Sequence, residues 1–283
     1  MSKHLTRFFV AAVVVSLRPS AALPQDASPV VLQLKGHLGD SWVVNTHSRE
    51  RTSVPPLIVE RSLDGTSRIT VEAVAPAGRM TLRGESEIIR IRVSIWRGNT
   101  LAEEHDSDRP ADRQDPKLLD LLGKPFTSRV EMEPTGEIRR FKGDSAAEDP
   151  TMEQAMTQGT VTLPSQPVRV GERWDGGTFS HPIAGLGRLD YAREVVFDSI
   201  GVRGGERVAY LKGTDRVTVK ADSESGVSVS VTDAKVDELW ALAIDRGRWV
   251  LVHMDKSVNL DTARNGGHSP VSIEATVEVR EQR

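Results

Sequence analysis

A mainly β, antiparallel fold is predicted for this chain from three observations. Apolar and polar residues alternate with period two over long stretches, turns rich in Gly and Asp punctuate those stretches, and helical spacing is confined to two short segments. Successive side chains of a strand point to opposite faces, so the alternation gives each strand one dry and one wet face. Roughly a dozen strands of this kind must hide their dry faces by curling or by pairing with another layer. The expected architecture is therefore a strongly curved sheet or an open barrel, with two similar halves as one arrangement of it.

Taken in chain order, the elements are as follows. Leu63-Asp64-Gly65-Thr66 reads as a tight turn leading into a strand over 68–74. Ile89, Ile91, Val93 and Ile95 alternate with Arg90, Arg92 and Ser94. The charged run EEHDSDRPADRQD, residues 103–115, reads as a loop between strand-rich regions. Asp115-Pro116 followed by KLLDLLGK has an Asp cap, a Pro in the first turn and a Gly stop, and so reads as a short helix. DPTMEQAMTQG, residues 149–159, repeats that grammar. Hairpin turns are expected at Thr135-Gly136, Gly204-Gly205 and Arg246-Gly247, where glycine supplies the positive φ such turns use. Further alternation runs through Val227–Val231, Val250–Leu260 and Val271–Val279. Of the five tryptophans, Trp42, Trp174 and Trp240 are expected to anchor strands in the core, while Trp96 and Trp249 fall on the wetter faces by alternation.

Residues 1–22 have the order of a secretory signal peptide: basic Lys3 and Arg7, an apolar run from Phe8 to Leu17, and small residues Ser20, Ala21 and Ala22 at the cleavage site. Export to the periplasm or the medium is expected, with cleavage near Ala22. The remainder divides into a first β-rich half, 23–142, which contains the acidic loop 103–115, and a second half, 143–283. The chain has no cysteine, so disulfides, iron–sulfur clusters and thiolate zinc sites are excluded. Its formal charge of -3 becomes more negative once the basic leader is gone, which argues against nucleic acid as a partner. No later stretch approaches the ~18 apolar residues of a membrane-spanning helix.

The tetrapeptide G-(D/E)-x-W occurs twice, as Gly39-Asp40-Ser41-Trp42 and as Gly171-Glu172-Arg173-Trp174. Each opens a strand-rich stretch that later turns at a hairpin glycine, Gly136 or Gly247. The reading is structural: Gly turns the chain into the strand, the acid stays wet, and Trp anchors the strand. A duplicated β unit, one per half, is expected from this internal repeat. The phrases LPSQPVRVGERW, LLGKPFTSRVEMEPTGEIRRF and LAIDRGRWVLVHM resemble those of a group of uncharacterised exported bacterial envelope proteins, over most of residues 30–281. That resemblance implies an extracytoplasmic β-rich protein and carries no catalytic residue with it. Some members have a lipid-modified cysteine, which this chain lacks.

Motifs of chemistry are sparse. The histidines His37, His47, His105, His181, His253 and His268 form no metal-binding pair and read as surface residues. Asp106 and Asp108 lack the Gly and distal Glu of an EF-hand loop. Ser180-His181 is adjacent in sequence without an orienting acid. Glu72, Glu274 and Glu278 read as wet-face acids within reach of Arg90 and Arg92. GLGRLD, residues 185–190, is not a dinucleotide fingerprint. No catalytic residue, metal site or cofactor is expected. The stretch GGTFSHPIAGLG, residues 176–187, reads as a long loop whose Phe179, Pro182, Ile183 and Leu186 form either a lid on the sheet edge or a lip over an apolar pocket.

These readings lead to a non-catalytic binding module for an apolar small molecule. The alternatives are an envelope scaffold that binds protein and, least favoured, a hydrolase with a dispersed site. Expression in a secreting host is expected to yield a mature chain that begins just after Ala22. Mass spectrometry of the exported protein checks this, and an intact leader would instead mean a retained N-terminal anchor.

Overall fold

The computed structural model describes residues 28–109, 125–143, 160–183, 186–222, 226–264 and 266–282. The expected signal peptide, both expected helices and residues 110–115 of the acidic loop lie outside these. The strands are β1 (Ser41–Val54), β2 (Leu57–Val74), β3 (Met80–Arg97), β4 (Thr100–Asp106), β5 (Phe126–Met132), β6 (Ile138–Gly143), β7 (Arg173–Ile183), β8 (Gly187–Arg203), β9 (Glu206–Ala221), β10 (Ser228–Ala243), β11 (Arg248–Arg264) and β12 (Gly267–Glu281). All twelve join one antiparallel sheet in the order β6-β5-β3-β2-β1-β12-β11-β10-β9-β8-β7, with β4 paired to part of β3. The two stretches expected as halves are thus two meanders of one continuous sheet. They meet at its centre, where β1 pairs with β12, and β6 and β7 are the two ends of the strand order.

The sheet is curved because its two flanks share a core. Met80, Val130 and Met132 from β3 and β5 pack in the same cluster as Val195, Phe197, Leu211, Trp240 and Leu242 from β8, β9 and β10. Two connecting segments plug this end of the fold. Leu32 and Leu34 from the first, and Val161, Leu163 and Val168 from the second, are buried in that cluster. The segments are tied to each other by a Val30–Val168 bridge. The second also links the two flanks, since Thr162 N donates to Gly176 O of β7 at 3.1 Å and Leu163 N donates to Thr135 O of the β5–β6 turn at 2.7 Å. A second apolar cluster lies toward the other, free end of β8 to β12, around Leu189, Tyr191, Val236, Val258, Leu260 and Ile273.

The two G-(D/E)-x-W sites are built alike. Gly39 and Gly171 have φ of 87° and 91°. Asp40 N donates to His37 O at 2.9 Å, and Glu172 N donates to Arg169 O at 3.0 Å, closing the same tight turn. The next two bonds also correspond. Gly39 N donates to Val71 O while Val71 N donates to Asp40 O; Gly171 N donates to Phe197 O while Phe197 N donates to Glu172 O. Val71 and Phe197 are both buried. Each motif therefore locks the entry of one meander onto a core residue of its second strand through the acid's backbone, and at the first site the Asp40 carboxylate also accepts from His37 N at 2.9 Å.

Five local expectations are corrected. Asp64-Gly65 is not a turn but part of the continuous strand β2, at a bulge opposite Ile88 and Arg90. Ile89 is the extra residue of that bulge and turns outward, 59% exposed, instead of continuing the dry face. Glu103–Asp106 is the end of β4 rather than a loop, because arginines neutralise its acids. Arg92 and Arg109 hold Glu104, and Arg90 reaches Asp108 at 2.9 Å. Those pairings also replace the expected ones of Arg90 and Arg92 with Glu72, Glu274 and Glu278, Glu72 being held instead by Arg129 at 2.7 Å. A second bulge, between Ala241 and Leu242, skips Val250 and brings Trp249 against the core cluster.

Alanine at Gly39 or Gly171 meets open space, since nothing lies within 4 Å of the added carbon. Only the positive φ opposes it, so each substitution is expected to cost about 1–2 kcal/mol. Urea denaturation checks this, with near-equal losses expected at the two sites.

Candidate functional site

The apolar alternation of the inner face is broken, strand by strand, by charge. In β8 the inward residues run Leu189, Tyr191, Arg193, Val195, Phe197; in β9 they include Leu211, Gly213, Asp215 and Val217; in β10, Val236, Glu238 and Trp240; in β11, Met254, Lys256 and Val258. Cross-strand pairing brings these four charges into one belt between the two apolar clusters. Lys256 sits opposite Val236 on one side and Ala275 on the other, and Ala275 in turn sits opposite Glu50 of β1.

Arg193 is the centre of the belt. Its side chain is 1% exposed, and those of Asp215 and Glu238 are 0% exposed. The guanidinium bonds Asp215 at 3.3 Å, Glu238, and the carbonyl of Thr160 in the plug. It also lies between two rings, 4.7 Å from the centroid of Phe179 and 5.0 Å from that of Trp240. Aromatic faces carry partial negative charge, so this sandwich adds to the compensation of the cation. Room for it is made by two glycines. A Cβ at Gly176 would fall 2.8 Å from Arg193 Cγ, and one at Gly213 would fall 2.6 Å from the Trp240 ring. Phe179 in turn stacks on Tyr191 with centroids 4.5 Å apart and planes within 5°.

Burial shifts the titration of these groups. Desolvation pushes Glu238 up to about 8, against the pull of Arg193, and raises Asp215 for the same reason. It lowers Lys256, although Glu50, Asp215 and Glu238 act the other way. It raises the Tyr191 phenol and lowers His181, the latter with help from Lys256. Asp215 Oδ2, Glu238 Oε2 and Tyr191 Oη are buried without a hydrogen-bond partner among the described residues. Lys256 is partly accessible, lies 5.5 Å from the Tyr191 ring, and forms no ion pair among the described residues.

The expected long loop is corrected to a strand. Residues 176–183 belong to β7, and the chain turns only after Ile183. Pro182 is accommodated because β7 is a terminal strand that bonds only β8 in the sheet, where a missing N–H costs little. Phe179, Ile183 and Leu186 pack against the second apolar cluster, whereas Pro182 is exposed and does not join them. Ser180 and His181 face opposite sides: Ser180 donates to Asp190 at 2.6 Å, and His181 is partly buried rather than a surface histidine. The tryptophan anchors differ in depth. Trp240 is fully buried; Trp174 is half-buried and donates to Thr162 O at 2.8 Å; Trp42 is half-buried under Arg248 at 5.2 Å.

Two clefts occur at the plugged end. One, of about 340 Å³, lies between Leu32 and the β5–β6 turn; the other, of about 370 Å³, is lined by Trp42, Glu206, Arg246, Arg248 and Glu281. In the second the charges already neutralise each other, with Arg246 bridging Glu206 and Glu281 at 2.6 and 2.7 Å. Neither cleft includes the charged belt. At the free end the second cluster is not sealed: Val217, Val219, Val229 and Val231 on the inner face are only partly buried.

No family model matches the chain, and no curated protein matches it. Among solved structures it is similar to lipovitellin, from a study of its lipid–protein interactions, with TM-score 0.44 and 10% identity over 87% of this chain and 25% of that one. An outer membrane channel from Pseudomonas putida F1 gives TM-score 0.19 and 8% identity over 92% of this chain and 100% of that one. The chain thus spans a quarter of the length of the lipovitellin chain. Among the described residues no helix is long and apolar enough to cross a membrane.

Glu238 supplies a pH test. Its carboxyl titrates near 4.5 when free and near 8 when folded, so the folded state holds the extra proton between those values. Its contribution is fully present below about 4.5 and is lost as pH rises toward 8. Asp215 acts in the same direction. Urea midpoints are expected to fall between pH 5 and pH 8, and Glu238→Gln is expected to flatten most of that slope.

Proposed function

We propose that the protein is an exported, non-catalytic binding module that holds an apolar small molecule against the inner face of β8 to β12 at the free end of the sheet. One observation carries the reading. The second cluster presents a continuous apolar inner surface whose outer members stay partly accessible, with Phe179, Ile183 and Leu186 of the terminal hairpin at its margin. Ligand sites are commonly apolar surfaces of this kind with a few polar groups at one side, and here the charged belt supplies that side.

Two features bear on catalysis. Glu238 and Asp215 have raised pKa values, as a general acid requires. Their side chains are nevertheless 0% exposed and both are bound to Arg193, which leaves no route by which a substrate reaches them. The belt is thus better read as a polar floor than as an acid–base pair. A protein-binding role has its own supporting feature, the exposed apolar residues Val54, Leu57 and Leu101 at the β1–β2 and β3–β4 turns.

The test uses the mature chain and an environment-sensitive apolar dye, followed by displacement with an alkane-chain ligand. Saturable binding is expected, and Val219→Asp, at a partly buried position that tolerates the change, is expected to weaken it about tenfold or more. Binding that survives Val219→Asp and Val231→Asp unchanged would move the site elsewhere. Absence of binding, together with self-association abolished by Leu57→Asp, would favour the protein-binding role.

A further inference from the structure

We propose that Lys256 anchors an anionic headgroup, carboxylate or phosphate, so that the molecule held at the free end is an amphiphile and not a plain hydrocarbon. This rests on the apolar-surface reading and adds the polar end of the ligand to it.

The geometry is specific to Lys256. It stands on the inner face of β11 between Met254 and Val258, both buried in the second cluster. It therefore stands within the second cluster on β11, opposite that cluster's Val236 on β10. A tail lying along Val258 and Leu260 toward the free end would leave its head beside the ammonium group.

The two belt cations differ in what they have available. Arg193 is buried and fully engaged by Asp215, Glu238 and Thr160. Lys256 is partly accessible and has no ion pair among the described residues. It lies 5.5 Å from the centroid of the Tyr191 ring, which attracts a cation without occupying its hydrogen-bond donors.

The surrounding charge permits an anion. Asp215 and Glu238 each give one oxygen to Arg193. Glu50 of β1 is separated from Lys256 by Ala275, the register partner of both, and accepts a hydrogen bond from Thr52 at 3.2 Å. His181 of β7 is a further titratable neighbour, whose neutral form is favoured by desolvation and by the charge of Lys256. Burial raises both Glu238 and Asp215 and so weakens the negative charge they set beside Arg193 and Lys256, while Glu50 is the acid that acts most strongly on Lys256. Ala275 has the smallest chiral side chain and leaves the space between Lys256 and Glu50 lightly filled.

The experiment compares three ligands of equal chain length on the mature protein by calorimetry at pH 7: laurate, dodecanol and dodecylammonium. Laurate is expected to bind about tenfold tighter than dodecanol, the usual gain from one charge-assisted hydrogen bond, and dodecylammonium weakest. Lys256→Met is expected to bring laurate down to the level of dodecanol and to leave dodecanol within about twofold of its original affinity. A circular-dichroism melt confirms that the variant is folded; if it is not, the order of the three ligands on the wild-type chain decides. Equal affinities for laurate and dodecanol, or dodecylammonium binding best, would overturn the anchor while leaving the apolar surface in place. Binding of none of the three would overturn the apolar-surface reading itself.

Discussion

Arg193 is the residue on which the interior depends. It joins three strands and the plug through bonds to Asp215, Glu238 and Thr160, and two aromatic rings enclose it. A buried guanidinium is costly unless nearly every donor is used, and removing a partner from such a network typically costs about 3–5 kcal/mol because another charge is then left uncompensated. The same requirement fixes register. A slip of one residue in β8, β9 or β10 would turn a charge to the wrong face and strand the other two in an apolar interior. The glycines at 176 and 213 belong to this arrangement, since each is empty space that Arg193 or Trp240 occupies.

The belt also divides the inner face into two regions of different character. Toward the plugged end, the connecting segments complete a core around Phe197, Leu211, Trp240 and Leu242, all of them inaccessible to solvent. Toward the free end, the comparable surface stays partly open. One side is therefore committed to stability, while the other retains apolar area that the described residues do not cover. Lys256 stands among the second cluster's residues on β11 and, unlike Arg193, makes no ion pair among the described residues.

Much of the scaffold was legible in sequence because period-two alternation and hairpin glycines report directly on strands and turns. The antiparallel class, the dozen strands, the turns at Gly136, Gly205 and Gly247, and the buried Trp240 all follow from local pattern. Bulges were not legible. Ile89 and Trp249 each continue or break an alternation that looks regular, and only the partner strand decides which residue is skipped. β7 was misread because Gly176, Gly177 and Pro182 imitate a loop, and their tolerance depends on the strand being last in the sheet. The belt left a signal that went unused: Arg193, Asp215, Glu238 and Lys256 are each a charge in phase with a dry face. One such residue is unremarkable, but four in successive strands with compensating signs point to a shared interior site. Their meeting could not be read without register.

The strand order has a consequence for how the chain is made. Each meander grows by adding neighbours in sequence, yet the central pair joins β1 to β12, the first and last strands. Until the C-terminal residues arrive, β1 and β11 both present open edges at what will become the middle of the sheet. Register partners such as Thr46 and Val279 lie about 233 positions apart in the chain, roughly the longest loop closure among the strand pairs. An open central edge is a template for pairing with another copy. Pairing with a second copy is therefore open until β12 is in place, and loss of β12 would remove the strand through which the two meanders become one sheet.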